Sequence, residues 1–144
     1  MGKHLVAIEG TYAGELRVEA VHGPSGARLA TDAPADNQGK GESFSPTDLV
    51  ATALGTCIAT ILGIVAERRG LDLSGMRFRT TKEMVADPGR RIGRLESTFW
   101  MPASLSAEER TVLESAARAC PVHRSLRPEV EAPITFVYEE LGAA

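Results

Sequence analysis

FSPTDLVATALGTCIATILGIVAERRG, residues 44–70, decides the fold. Ser45-Pro46-Thr47-Asp48 is a helix start. It has a serine cap, a proline in the first turn, where its missing N–H costs nothing, and an acid three residues after the cap. From Leu49 to Ala66 the chain carries no charge, and Gly70 supplies the stop. The spacing predicts a helix over 46–69, roughly 36 Å long at about 1.5 Å per residue. So long an element in a chain of 144 residues has to be central. The uncharged run reaches the lower edge of a membrane-spanning length. However, Thr and Gly interrupt it, many of its apolar residues are Ala, and Asp48 and Glu67-Arg68-Arg69 bracket it tightly. A soluble helix buried on most sides is expected, and no membrane partner.

Working outward, the first thirty residues alternate. Leu5 and Ala7 oppose Val6 and Ile8, and Leu16, Val18 and Ala20 oppose Arg17, Glu19 and Val21. Period-two alternation marks strands. HGPSGAR (22–28) is a turn and RLATD (28–32) a short third strand. The polar loop DAPADNQGKGESFSP (32–46) is long for a connection, and such loops are often functional or mobile. After the helix, MRFRTTKEMV (76–85) and RLESTFWM (94–101) read as strands joined by the hairpin signal DPGRRIG. SLSAEERTVLESAARAC (104–120) is a second helix with Ser106 and Glu109 as a capping box, PVHRSL a short helical turn, and PITFVYEE (133–140) a closing strand. The order β-β-β-α-β-β-α-β is an α+β arrangement, expected as a single domain over 1–144.

Composition narrows the function classes. Hydrophobic content of 43% and charged content of 24% are those of a soluble globular protein. A net charge of -3 gives no electrostatic footprint for nucleic acid or anionic lipid. MGKHLVAIEG lacks the apolar core of a signal peptide, so a cytoplasmic protein is expected. Two cysteines are too few for a disulfide framework; in a reducing compartment such a pair is catalytic, redox-active or incidental.

Three features could carry chemistry. Ala51, Gly55, Ala59 and Gly63 recur every four residues along the long helix, beside Thr52, Thr56 and Thr60. Glycine costs about 1 kcal/mol in a helix relative to Ala, so the ridge points to a close approach, a second copy of the helix being one candidate. Cys57 sits mid-helix, beyond the reach of either helix terminus. It is an inert core cysteine unless another element brings a cation to it. Cys120 precedes Pro121, so its thiol stands at the start of a new helical turn, a setting that favours thiolate, with His123 and Arg124 following. Cys120 and His123 supply two of the four ligands a structural zinc needs. No second half has matching spacing, so no metal or other cofactor is expected.

With both cysteines placed, the chain resembles the OsmC/Ohr family of thiol peroxidases. The resemblance is carried by FSPTDLVATALGTC up to Cys57, GIVAERRGLDLSGM after it and ACPVHRSL around Cys120. The loop TDAPADNQGKGE and the turn DPGRRIG are similar to an OsmC-like subgroup. The resemblance implies an intertwined homodimer, with antiparallel sheets wrapped around two long central helices and each active site at the dimer interface. It implies that Cys57 is the peroxidatic thiol and Cys120 the resolving thiol. An organic hydroperoxide would be the substrate and an external dithiol the reductant. Arg17 falls where the family carries an arginine near the reactive thiol, although its alternation with Glu15 and Glu19 marks a solvent face. The family's glutamate is absent: Thr47 occupies its place. Asp48, nine residues before Cys57, lies on the far side of a continuous helix and suits a cap. That departure leaves a second reading of the same fold, a dimeric small-molecule-binding stress protein without efficient peroxidase activity.

Overall fold

The computed structural model describes residues 4–142. The chain forms two compact units, Met1–Leu49 and Val50–Ala144.

The N-terminal unit is an antiparallel meander of β1 (Ile8–Gly14), β2 (Arg17–His22) and β3 (Arg28–Asp32). Glu15 and Leu16, at φ 55° and 64°, make the two-residue turn of the first hairpin, a conformation with φ positive at both positions. Leu16 and Glu15 are therefore turn residues and not members of the strand alternation expected of them. The following loop is well tied. Asp32 N–H donates to Phe44 O at 3.0 Å, Gly41 N–H to Ala33 O at 3.2 Å, and Ser43 Oγ to Ala30 O at 3.2 Å. It contains one 3₁₀ turn, Ala35–Asn37. At Gly39 a Cβ would lie 1.7 Å from the Ala33 carbonyl oxygen, so only glycine fits there. The residues buried in this unit are polar (Thr31, Asp32 and Ser45), whereas Ile8, Tyr12, Val18, Leu29 and Phe44 are exposed.

The long helix, α1, runs Pro46–Arg69 as the sequence predicts. Its start is a reciprocal cap: Asp48 N–H donates to Ser45 Oγ at 3.0 Å, and Ser45 N–H donates to Asp48 Oδ2 at 2.9 Å. By length and composition α1 could cross a membrane. Here it is a core helix, because Leu54, Ile58 and Leu62, one face at four-residue spacing, are fully buried.

The C-terminal unit continues with β4 (Arg77–Val85), β5 (Arg91–Pro102), α2 (Ala107–Ala117), α3 (Pro121–Ser125) and β6 (Ile134–Glu139). The expected capping box at Ser106 and Glu109 is present. β5 is the central strand, antiparallel to β4 but parallel to β6. The expected all-antiparallel wrapping is thus corrected in this sheet. α2, α3 and the segment after them carry the chain back along the sheet, so β6 restarts beside Ser97 in the direction of β5, the long crossover that a parallel pair requires.

The core joins Leu54, Ile58 and Leu62 of α1 to Leu95, Phe99 and Met101 of β5 and Leu113 and Ala117 of α2. Each large side chain buried this way contributes about 1.5–3 kcal/mol. Register places Phe78, Phe99 and Phe136 side by side across three strands, with ring centroids 5.5 and 6.0 Å apart. The small-residue ridge of α1 divides. A Cβ on Gly55 would meet the Phe78 ring at 2.2 Å, so Gly55 lets β4 approach the helix, whereas no described atom lies within 4 Å of a Cβ on Gly63.

Candidate active site

Cys57 lies in the middle of α1, half-buried and packed against the core cluster. Its neighbour Ile58 points fully into that core, so the thiol stands at the edge of the buried face. Cys120 is fully buried in the short link between α2 and α3, where it is the N-cap residue of α3 and Pro121 occupies the first position. Cys120 N–H donates to Ala117 O at 3.3 Å, and Cys120 O accepts from Arg124 N–H at 3.0 Å, which fixes the backbone on both sides of the thiol.

The fold places the two side chains as neighbours: Cys57 is one of the groups that act on the Cys120 thiol. Burial pushes the Cys120 thiol above its ordinary range, and the adjacent Cys57 adds to the rise. The backbone N–H groups of His123 and Val122 pull the other way without prevailing. The expectation that the helix start makes Cys120 a ready thiolate is therefore overturned. A helix of 5 residues offers two N–H groups, and desolvation of a completely buried sulfur outweighs them. Burial thus holds the Cys120 proton more tightly than an ordinary thiol holds its own.

Arg17 belongs to the N-terminal unit, on β2. Its Nη2 is ion-paired with the Glu42 carboxylate and lies 3.8 Å from Asp32 Oδ2. The acids that engage it are thus Glu42 and Asp32, not the Glu15 and Glu19 of the sequence alternation. Neither was predicted as a site residue. Asp32 closes a strand, and Glu42 sits in a loop rich in Gly and polar residues. Both carry the signature of ordinary surface acids until the loop folds back. Asp48 is the capping acid the helical geometry calls for, and Thr47 Oγ1 lies 3.2 Å from Ser45 Oγ within the same cap. His123 Nε2 is 3.1 Å from Ala132 O, and among the described residues no group of three or more His, Cys, Asp or Glu side chains could hold a metal.

The site is thus a mid-helix thiol, Cys57, beside a second, buried thiol, Cys120, in an α+β unit. The chain belongs to the OsmC-like protein family, whose model matches residues 39–134. A solved structure from Psychrobacter arcticus 273-4 is 38% identical with a TM-score of 0.86; 94% of this chain and 98% of that one are covered. It is provisionally described as an osmotic stress induced and detoxification response protein. An organic hydroperoxide resistance protein from Legionella pneumophila shares the fold at 16% identity and TM-score 0.76, covering 95% of this chain and 99% of that one. Another from Elizabethkingia anophelis does so at 15% identity and TM-score 0.76, covering 96% and 99%. No curated protein matches the chain.

Proposed function

We propose that the protein is a cysteine-based hydroperoxide reductase acting on organic hydroperoxides in the cytoplasm. The observation that carries this is the neighbouring of the Cys57 and Cys120 thiols within an OsmC-like fold. Cys57, as thiolate, attacks the terminal oxygen of the hydroperoxide. The O–O bond breaks, the alkoxide leaves and takes a proton to become the alcohol, and Cys57 is left as sulfenic acid. Cys120 then attacks the Cys57 sulfur. The S–O bond breaks, the hydroxyl leaves with the Cys120 proton as water, and a disulfide forms. An external dithiol returns two electrons and two protons by exchange. Disulfide closure brings the two neighbouring sulfurs to about 2.05 Å.

Arg17, always charged, is the group proposed to stabilise the Cys57 thiolate. The working form is a homodimer. Support for it comes from the N-terminal sheet, whose apolar side chains Ile8, Tyr12, Val18 and Leu29 are exposed in the single chain. The second reading, a small-molecule-binding stress protein of the same fold, is favoured by one observation: Asp48 is committed to the Ser45 cap, and Thr47 brings no carboxylate.

Turnover separates them. Reduced protein mixed with cumene hydroperoxide and dithiothreitol should consume peroxide. Cys57→Ser should abolish consumption, and Cys120→Ser should leave a sulfenic acid that dimedone captures. If peroxide is not consumed and both thiols stay free over minutes, the peroxidase reading is wrong.

A further inference from the structure

We propose that Tyr138, Glu114 and Arg110 form a clamp that sets the register of α2 on the sheet and so positions Cys120 for disulfide closure. This rests on the dithiol reading above. All three residues lie in the C-terminal unit, Tyr138 on β6 and the other two one turn apart on α2. Tyr138 Oη donates to Glu114 Oε2. The Arg110 guanidinium lies over the Tyr138 ring, 4.1 Å from its centroid. Its nitrogens tie it to the loop before α2, Nε donating to Leu105 O at 3.0 Å and Nη2 to Ala103 O at 2.8 Å. Tyr138 is itself braced by Phe136, with ring centroids 6.5 Å apart. Burial first, and then the bond to Glu114, push the Tyr138 hydroxyl well above the ordinary phenol range, so it stays a donor.

Apolar packing alone does not fix this register. Leu113 and Ala117 are fully buried and hold α2 against the core, but burial has no preferred direction. A hydrogen bond between α2 and β6 has one. Backbone bonds then join the clamp to the thiol without a gap. Arg118 N–H donates to Glu114 O at 3.4 Å, Ala119 N–H to Ala116 O at 3.0 Å and Cys120 N–H to Ala117 O at 3.3 Å. Arg118 Nη1 also donates to Glu114 O, at 3.0 Å. A shift of Glu114 along β6 is therefore a shift of the Cys120 sulfur. That sulfur has a geometrically narrow task. It attacks the sulfur of the Cys57 sulfenic acid, the S–O bond breaks, and the hydroxyl leaves with the Cys120 proton as water. A second hydroperoxide competes for the same sulfenic acid. It transfers its terminal oxygen to the Cys57 sulfur, which becomes sulfinic acid, and departs as the alcohol. The clamp bears on the first outcome and not on the second.

The two steps are read separately after adding cumene hydroperoxide to reduced protein. Dimedone capture gives the rate of sulfenic acid formation, and acid quench with non-reducing peptide mapping gives the rate of disulfide closure. Tyr138→Phe removes one hydroxyl and keeps the ring. It should form sulfenic acid at the wild-type rate and close the disulfide roughly tenfold more slowly, since misplacing a reacting group by about 1 Å can cost about a hundredfold. At excess peroxide it should collect more Cys57 sulfinic acid than wild type. Glu114→Ala should behave as Tyr138→Phe does, whereas Glu114→Gln, whose amide oxygen still accepts, should recover most of the closure rate. Ser106→Ala removes the cap of the same helix without touching the clamp, and should close at the wild-type rate. Wild-type closure by Tyr138→Phe overturns the clamp. Equal slowing by Ser106→Ala overturns it as well, by making closure a matter of helix stability alone. Wild-type protein that forms no sulfenic acid at Cys57 overturns the reductase reading, and the positioning role falls with it.

Discussion

In the C-terminal unit, α1 hides Leu54, Ile58 and Leu62 among Leu95, Phe99 and Met101. The N-terminal sheet instead hides Thr31 and Asp32 and leaves Ile8, Tyr12, Val18 and Leu29 in the open. The first unit is held by apolar burial it supplies itself. The second is ordered by its strand ladders, by a loop tied through Asp32 and by an arginine between two acids. Surface ion pairs contribute little, of order 0–1 kcal/mol each, so a meander of this kind needs its apolar face covered. The proposed second copy of the chain supplies that cover. The thiol pair belongs to the self-sufficient unit, which suits chemistry that needs fixed geometry, and the arginine to the dependent one.

The largest test of the contrast is truncation in each unit. Phe99→Ala should cost about 3–5 kcal/mol in denaturant unfolding, because it empties a fully buried ring site between Phe78 and Phe136. Leu29→Ala should change the stability of the dilute single chain by less than about 0.5 kcal/mol and raise the concentration at which chains associate. Equal losses at the two sites would break the contrast.

A smaller effect separates two glycines of one helix. Gly55→Ala places a methyl group 2.2 Å from the Phe78 ring and should destabilise by about 1–3 kcal/mol, despite the better helix propensity of alanine. Gly63→Ala meets no described atom within 4 Å and should stabilise the dilute chain by up to about 1 kcal/mol. A reversed order in thermal unfolding would place the close approach on the wrong glycine.

The smallest effect is a pH dependence. Cys120 holds its proton more tightly folded than unfolded, so its contribution to stability is complete below the ordinary thiol value of about 8.5 and is lost as pH rises above it. The reduced protein should therefore lose more stability between pH 8 and 10 than Cys120→Ala does. Parallel pH curves for the two would remove the burial argument for Cys120, the proposed resolving thiol.

Much of this was legible in the sequence where a local rule governs. The limits of α1 follow from Ser45-Pro46 and Gly70, the second cap from Ser106 and Glu109, and the buried face of β5 from Leu95, Phe99 and Met101 at alternate positions. What escaped depends on contacts between distant segments. The alternation within β6 carries no direction, so its parallel pairing was invisible. Glu15-Leu16 lacks the Asn-Gly signal of the turn it makes, so the strand alternation was carried through two turn residues. Gly55 and Gly63 are alike in pattern and differ only in what stands opposite. Cys120 has a helix start in its favour and a depth of burial that no local pattern announces. Glu42 reaches Arg17 only because Gly39 and Gly41 turn the loop back.

The central claim is that one chain holds Cys57 and Cys120 ready to join. Its most direct test is peptide mapping under non-reducing conditions after one equivalent of cumene hydroperoxide. A Cys57–Cys120 disulfide within a single chain, with no covalent dimer on denaturing gels, is the predicted result. Free thiols at both positions, or a crosslink between chains, would contradict it.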